Sequence, residues 1–134
     1  MSGDLIGPVA VLDAMPEDMQ NKVRGYADGL DLRFAASYSE EDFAQTVKGA
    51  AYIVPRGRGL PASVLRGADS VRLVHQWGTG YDKIPVDLAK EMGVTVARSP
   101  GVNAPTIADL TIGMMIAALR RIPLHYNNTR AGKW

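Results

Sequence analysis

The feature that most constrains this chain is an alternation of short apolar runs with segments of helical character. Residues 9–12, 30–35, 51–54, 71–75 and 94–97 are the apolar runs, the second being the weakest. Between them, residue 16 to about 26, 39 to near 48, 61–65 and 86–92 read as helices. Glu17 and Asp18 sit in a first turn, where the helix dipole favours acids. Ser39-Glu40-Glu41-Asp42 has the form of a capped helix start, and Gly29, Gly49 and Gly93 stand where helices would end. Strands that are apolar nearly throughout, rather than at every second residue, belong to a parallel sheet covered on both faces.

With right-handed crossovers, that order predicts an α/β fold: a flavodoxin-like, doubly wound parallel sheet of five strands. The 134 residues suit one domain and, at 46% hydrophobic, can furnish one sizeable core. Fifteen basic against fourteen acidic residues leave a net charge of +1, which gives no electrostatic reason to expect a nucleic-acid partner. The chain has no cysteine, which excludes disulfides, thiolate metal sites and a Cys nucleophile and suits a reducing, cytoplasmic setting. Residues 1–15 hold Asp4 and Asp13 but no Lys or Arg, so no secretory start is expected. Residues 107–119 form the longest apolar-rich stretch, too short to span a bilayer and interrupted by Asp109, so no membrane partner is expected.

From Ala104 to about Arg121 the sequence reads as one long helix, roughly 27 Å in length at the usual rise per residue. Its apolar residues, among them Ile107, Leu110, Ile112, Met115 and Leu119, surround it nearly completely. A helix covering one small sheet would keep a polar face. This one therefore expects burial on several sides, against another domain, a second subunit or both. Residues 1–103 are read as one α/β domain and 104–134 as an interdomain segment.

Two glycine loops follow strands. Gly57-Arg58-Gly59-Leu60-Pro61-Ala62 formally fits G-x-G-x-x-A. Pro61 removes an amide that should face a pyrophosphate, and the loop follows the third strand instead of the first, so a dinucleotide role is disfavoured. Arg56 and Arg58 flank Gly57 past a strand's carboxyl end, the edge where open α/β sheets bind ligands, and each offers a planar fork for a carboxylate or phosphate. Both are equally readable as solvated surface arginines. In the second loop, Trp77-Gly78-Thr79-Gly80-Tyr81-Asp82, successive amides can converge as an anion nest, or the segment is a tight turn in which Asp82 bonds local amides. Asn103 is placed to cap the long helix, with Pro105 in its first turn. His75 lies within a strand and reads as a satisfied buried histidine. His125 lies past Pro123 in a polar tail. Neither has a metal-ligand partner at the required spacing, and there is no catalytic constellation.

Taken together, His75-Gln-Trp-Gly-Thr-Gly-Tyr-Asp-Lys-Ile84, Gly93-Val-Thr-Val96, Ser99-Pro-Gly-Val-Asn-Ala-Pro-Thr-Ile-Ala-Asp109, Arg120-Arg-Ile-Pro123 and Ala131-Gly-Lys-Trp134 resemble the D-isomer-specific 2-hydroxyacid dehydrogenases. The resemblance implies a two-domain, nicotinamide-dependent oxidoreductase whose substrate-binding domain comes first, with a Rossmann domain beyond Trp134. Carried over, the amides of Gly78, Thr79 and Gly80 would hold the substrate carboxylate. Arg56 would face the substrate, and Asn103 and Thr106 would lie near the nicotinamide. Asp109 stands where the family usually has Glu. The family's catalytic Arg, Glu and His would lie beyond this chain. So NAD or NADP is implied for a parent protein that would reduce a small 2-oxo acid, while this truncated chain alone would neither bind cofactor tightly nor turn over. A homodimer through the long apolar helix is expected. The alternative is a stand-alone flavodoxin-like module that binds a carboxylate or dimerises without catalysis.

Overall fold

The computed structural model of the chain describes residues 7–133. Residues 1–6, at the start of the segment read as lacking a secretory signal, and Trp134, the end of the Gly-Lys-Trp tail, lie outside them. Among the described residues the order is β1 (Val9–Leu12), α1 (Glu17–Tyr26), β2 (Leu32–Phe34), α2 (Glu40–Thr46), β3 (Tyr52–Pro55), α3 (Ala62–Arg66), β4 (Leu73–Gln76), α4 (Val86–Glu91), β5 (Thr95–Arg98), α5 (Ala104–Leu119) and α6 (Ile122–Arg130).

All five strands pair in parallel in the order β2-β1-β3-β4-β5, the doubly wound arrangement read from the alternation. β1 is buried throughout, and its side chains alternate between two clusters. Ala10 and Leu12 join Phe43, Ile53, Leu65, Val74 and Leu88 under α2, α3 and α4. Val9 and Val11 join Met15 and Leu32 under α1. Three helices on one face and one on the other leave the second face unequally covered within this unit. Leu73, His75 and Ala97 are half-buried there and Thr95 is exposed. Phe43 is 2% exposed at the centre of the larger cluster. Phe43→Ala is expected to cost about 3–5 kcal/mol, the usual price of an aromatic-sized cavity, read as a lower denaturant midpoint at unchanged slope.

Strand and helix bounds differ from the sequence reading by one to two residues, as fraying and turn geometry dictate. Ser39 does cap α2, its Oγ accepting from the Asp42 amide at 3.2 Å.

The chain divides into two compact units, Met1–Pro100 and Gly101–Trp134. In the second, the helix expected to reach about Arg121 stops at Leu119. Arg121 adopts a left-handed backbone, φ 50°, and a further helix follows. What reads as a polar tail is thus helical, and Pro123 is the reason. Proline ends a helix that precedes it, but in a first turn its missing N–H is not needed and its fixed φ suits the start of a new one. His125 sits exposed on α6, not in a tail. Along α5 the apolar residues are exposed on every side, from Ile116 at 50% to Leu119 at 82%. No helix among the described residues is long and apolar enough to cross a membrane, and none of their His, Asp and Glu side chains cluster as a metal site.

Candidate functional site

Strand order reverses between β1 and β3, and the crevice outside the carboxyl ends of strands at such a point is where doubly wound sheets bind ligands. A cleft of about 570 Å³ opens there, lined by Asp13, Tyr38, Arg56, Gly57, Arg58, Gln76, Trp77 and Lys83. Each comes from a chain segment leaving a strand end or returning beside one. Asp13 follows β1, Arg56 follows β3, and Gln76 with Trp77 ends β4.

The cleft is organised around a buried carboxylate. Asp13 is 5% exposed. Its Oδ2 accepts from Arg56 Nη1 at 2.7 Å, and its Oδ1 accepts from the Tyr38 hydroxyl at 2.5 Å. The Arg56 guanidinium also lies over the Trp77 ring, 5.5 Å from its centroid, and Arg58 lies over Tyr38 at 5.3 Å. Trp77 is therefore a platform for Arg56. Lys83 donates to the Gly57 carbonyl at 3.1 Å.

The hydrogen bond to Asp13 holds the Tyr38 phenol above its ordinary value of 10.0. Partial desolvation and the Asp13 charge add to this, and Arg56 and Arg58 oppose it. The fold thus favours the neutral phenol. That contribution to stability is complete below pH 10 and disappears as pH rises through the elevated folded value. In an alkaline titration followed by phenolate absorbance, Tyr38, identified by subtracting the Tyr38→Phe profile, is expected to ionise late. Asp13→Ala should bring it back toward the ordinary value; an unchanged curve would refute the bond as the cause.

The glycine loop 57–62 is a packing device. Gly59 has φ +82°, and a Cβ there would lie 2.4 Å from Lys83 Cβ and 2.6 Å from the Lys83 carbonyl oxygen. The loop closes onto the Lys83 strap through Leu60 N–H, which donates to the Lys83 carbonyl at 3.0 Å.

In the second loop, Gly78 has φ +148° and its amide donates to the Gln76 carbonyl at 2.8 Å. The loop is fastened to the segment after β5: Ser99 N–H donates to the Gly78 carbonyl at 3.0 Å, and Arg98 Nη1 to the Thr79 carbonyl at 3.1 Å. The Thr79 hydroxyl donates to the Ser99 carbonyl at 3.3 Å. His75 is half-buried and satisfied, its Nε2 2.8 Å from Ser99 Oγ. Gly80 is exposed beside this frame, and Gly80 and Arg56 line a smaller adjoining cavity of about 210 Å³. The first unit thus brings Arg56 and the 78–80 loop to one edge.

Asn103 and Thr106 belong to the second unit and are exposed. Asn103 occupies the cap position of α5, but its side chain makes no capping bond, because its backbone (φ −109°, ψ 7°) departs from the extended geometry such a bond needs.

Sequence reasoning missed Asp13, Tyr38, Gln76 and Lys83. A signal existed for Asp13, an acid directly after a fully apolar strand. None existed for Tyr38, which lies in the serine-rich turn before α2.

Residues 9–131 match the family profile described as D-isomer specific 2-hydroxyacid dehydrogenase, catalytic domain. The chain is similar to a D-3-phosphoglycerate dehydrogenase of Methanocaldococcus jannaschii, 30% identical over 105 residues, 78% of this chain and 20% of that protein. It is also similar to a glyoxylate reductase of Korarchaeum cryptofilum, 37% identical over 75 residues, 56% of this chain and 23% of that protein. Among solved structures, an NAD+-bound 3-phosphoglycerate dehydrogenase from Entamoeba histolytica shares the fold. Its TM-score is 0.71 at 23% identity, over 84% of this chain and 39% of that one. The chain thus spans 20% and 23% of the length of those two curated relatives. With the profile running through both units and the parallel sheet in agreement, the chain belongs to the D-isomer-specific 2-hydroxyacid dehydrogenases, in the catalytic-domain part of that family.

Proposed function

We propose that the chain supplies the substrate-carboxylate side of the site in an oxidoreductase that transfers a hydride between a nicotinamide cofactor and C2 of a 2-hydroxy or 2-oxo acid. The family match carries this reading, and the placement of Arg56 and the 78–80 loop at one sheet edge supports it. The Arg56 fork would pair with the carboxylate, a charge-assisted contact that fixes orientation as well as adding affinity. The amides of Gly78, Thr79 and Gly80 would complete the cradle. The Gly78 amide would exchange the Gln76 carbonyl for the carboxylate, a swap that a charged acceptor favours.

NAD is the cofactor this reading prefers, in keeping with the NAD+-bound relative; NADP is the alternative. The dinucleotide would supply or accept the hydride. Of this chain's residues, the exposed carboxamide of Asn103 and hydroxyl of Thr106 would meet the nicotinamide. The groups that polarise the carbonyl and move the proton are assigned to a part of the protein outside these 134 residues. We place the protein in the cytoplasm as a homodimer, with the apolar surface of α5 as the pairing surface; sedimentation of the full-length protein tests the second point.

The decisive assay is NADH oxidation by the full-length protein with glyoxylate, hydroxypyruvate and 3-phosphohydroxypyruvate, with NADPH in parallel. Turnover of at least one 2-oxo acid is expected, and no turnover with any of them would sink the reading.

A further inference from the structure

We propose that Asp13, together with Tyr38, is a positioning residue that aims Arg56 at the substrate carboxylate, an inference that rests on the reading of Arg56 above. The parallel register sets Leu12 beside Pro55, so the residues that follow, Asp13 and Arg56, leave the sheet side by side at its switch point. The two Asp13 oxygens have separate duties. Oδ1 takes the Tyr38 hydroxyl, and Oδ2 takes Arg56 Nη1. Tyr38 arrives from the turn before α2, so its bond fixes which way the carboxylate faces. Trp77 then supports the guanidinium plane from the end of β4. A long side chain that is half exposed would otherwise sample many rotamers; here the contacts with Asp13 and Trp77, and the Tyr38 bond behind Asp13, select one.

The burial pattern argues that this arrangement serves function. An exposed ion pair is worth little, and burying a carboxylate is unfavourable unless it is fully bonded. Asp13 is buried while Arg56 is not. Stability alone would be as well served by an apolar residue after β1. A buried acid on the wall of a cleft, with both oxygens occupied and one of them holding a cleft-lining arginine, has the form of an orienting group. Both oxygens of Asp13 are already committed to Tyr38 and Arg56, so its action on a substrate passes through Arg56.

The test uses the full-length protein and steady-state kinetics with the best 2-oxo acid, comparing Asp13→Asn, Tyr38→Phe, Arg56→Ala and the double variant Asp13→Asn/Arg56→Ala. Asp13→Asn should raise KM for the oxo acid about tenfold, the scale of weakening one charged hydrogen bond. KM for NADH should not move, a split that general damage would not produce. Tyr38→Phe, which removes one hydroxyl from a half-exposed ring, should give a smaller rise of the same kind and keeps the test open if Asp13→Asn folds poorly. In the Arg56→Ala background, Asp13→Asn should add nothing.

If Asp13→Asn and Tyr38→Phe leave KM unchanged or lower while Arg56→Ala raises it, the positioning role is overturned and the reading of Arg56 survives. An equal rise from Asp13→Asn in the Arg56→Ala background also overturns it, because the effect would not pass through Arg56. If Arg56→Ala itself leaves KM unmoved, the reading of Arg56 fails, and this inference with it.

Discussion

Gly59→Ala is expected to destabilise the first unit by about 3 kcal/mol, combining a disfavoured left-handed backbone with overpacking. The added Cβ would fall 2.4 Å from Lys83 Cβ and 2.6 Å from a main-chain oxygen. A flexible side-chain tip could swing away, but a backbone carbonyl and a Cβ cannot. Relief must come from separating the 56–60 turn from the 83–84 strap. That separation would break the bond from Leu60 N–H to the Lys83 carbonyl and pull Leu60, 3% exposed, from the core. The measurement is the denaturant midpoint of the 134-residue chain at constant slope. Gly57→Ala is the control, since nothing lies within 4 Å of a Cβ at that position, and it should shift the midpoint by a small fraction of that amount. Equal effects at the two glycines would show that the contact with Lys83 is not what Gly59 is for.

Arg56→Ala carries the largest functional expectation. In the full-length protein, kcat/KM for the oxo acid should fall about a hundredfold, the size of losing a charged hydrogen-bonding fork partly exposed to solvent. Most of the loss should appear in KM, because a carboxylate is equally charged in ground and transition states. Arg56→Lys should recover only part of it. An ammonium can pair with either Asp13 or the substrate, but it cannot bridge both while lying flat on Trp77. Full recovery by lysine would reduce the role of Arg56 to simple charge.

The sheet was legible in the sequence because its signal is local. Each strand is a short apolar run, and each neighbouring segment carries its own punctuation, as at Ser39 or Gly93. The position of Arg56 past a strand end was legible for the same reason, since adjacent residues fix it. The partners of Arg56 were not. Asp13 and Arg56 are 43 positions apart and meet through the pairing of β1 with β3; no window along the sequence contains both. Tyr38 reaches the site through a turn whose composition speaks only of flexibility. The glycines of the 57–62 loop imitate a phosphate-binding pattern that Pro61 argues against, but nothing local tells that Gly59 is needed because a Cβ there would meet Lys83. α6 was hidden because proline marks both the end of one helix and the beginning of another, and the sequence alone does not say which.

The strand order has a consequence for how the protein is made. Apart from the single exchange that places β1 between β2 and β3, neighbours in the sheet are neighbours in the chain. A ribosome releases residues at about 5–20 per second, whereas local pairing and collapse finish in well under a second. Each new strand from β3 to β5 therefore emerges after the strand it pairs with has been released. β1 is the exception. It must keep one edge unpaired until β3 emerges, a wait of some seconds in which its apolar side chains and free backbone edge need shelter. By the time α5 leaves the exit tunnel, every strand of the sheet has already been released, so its apolar surface emerges after them.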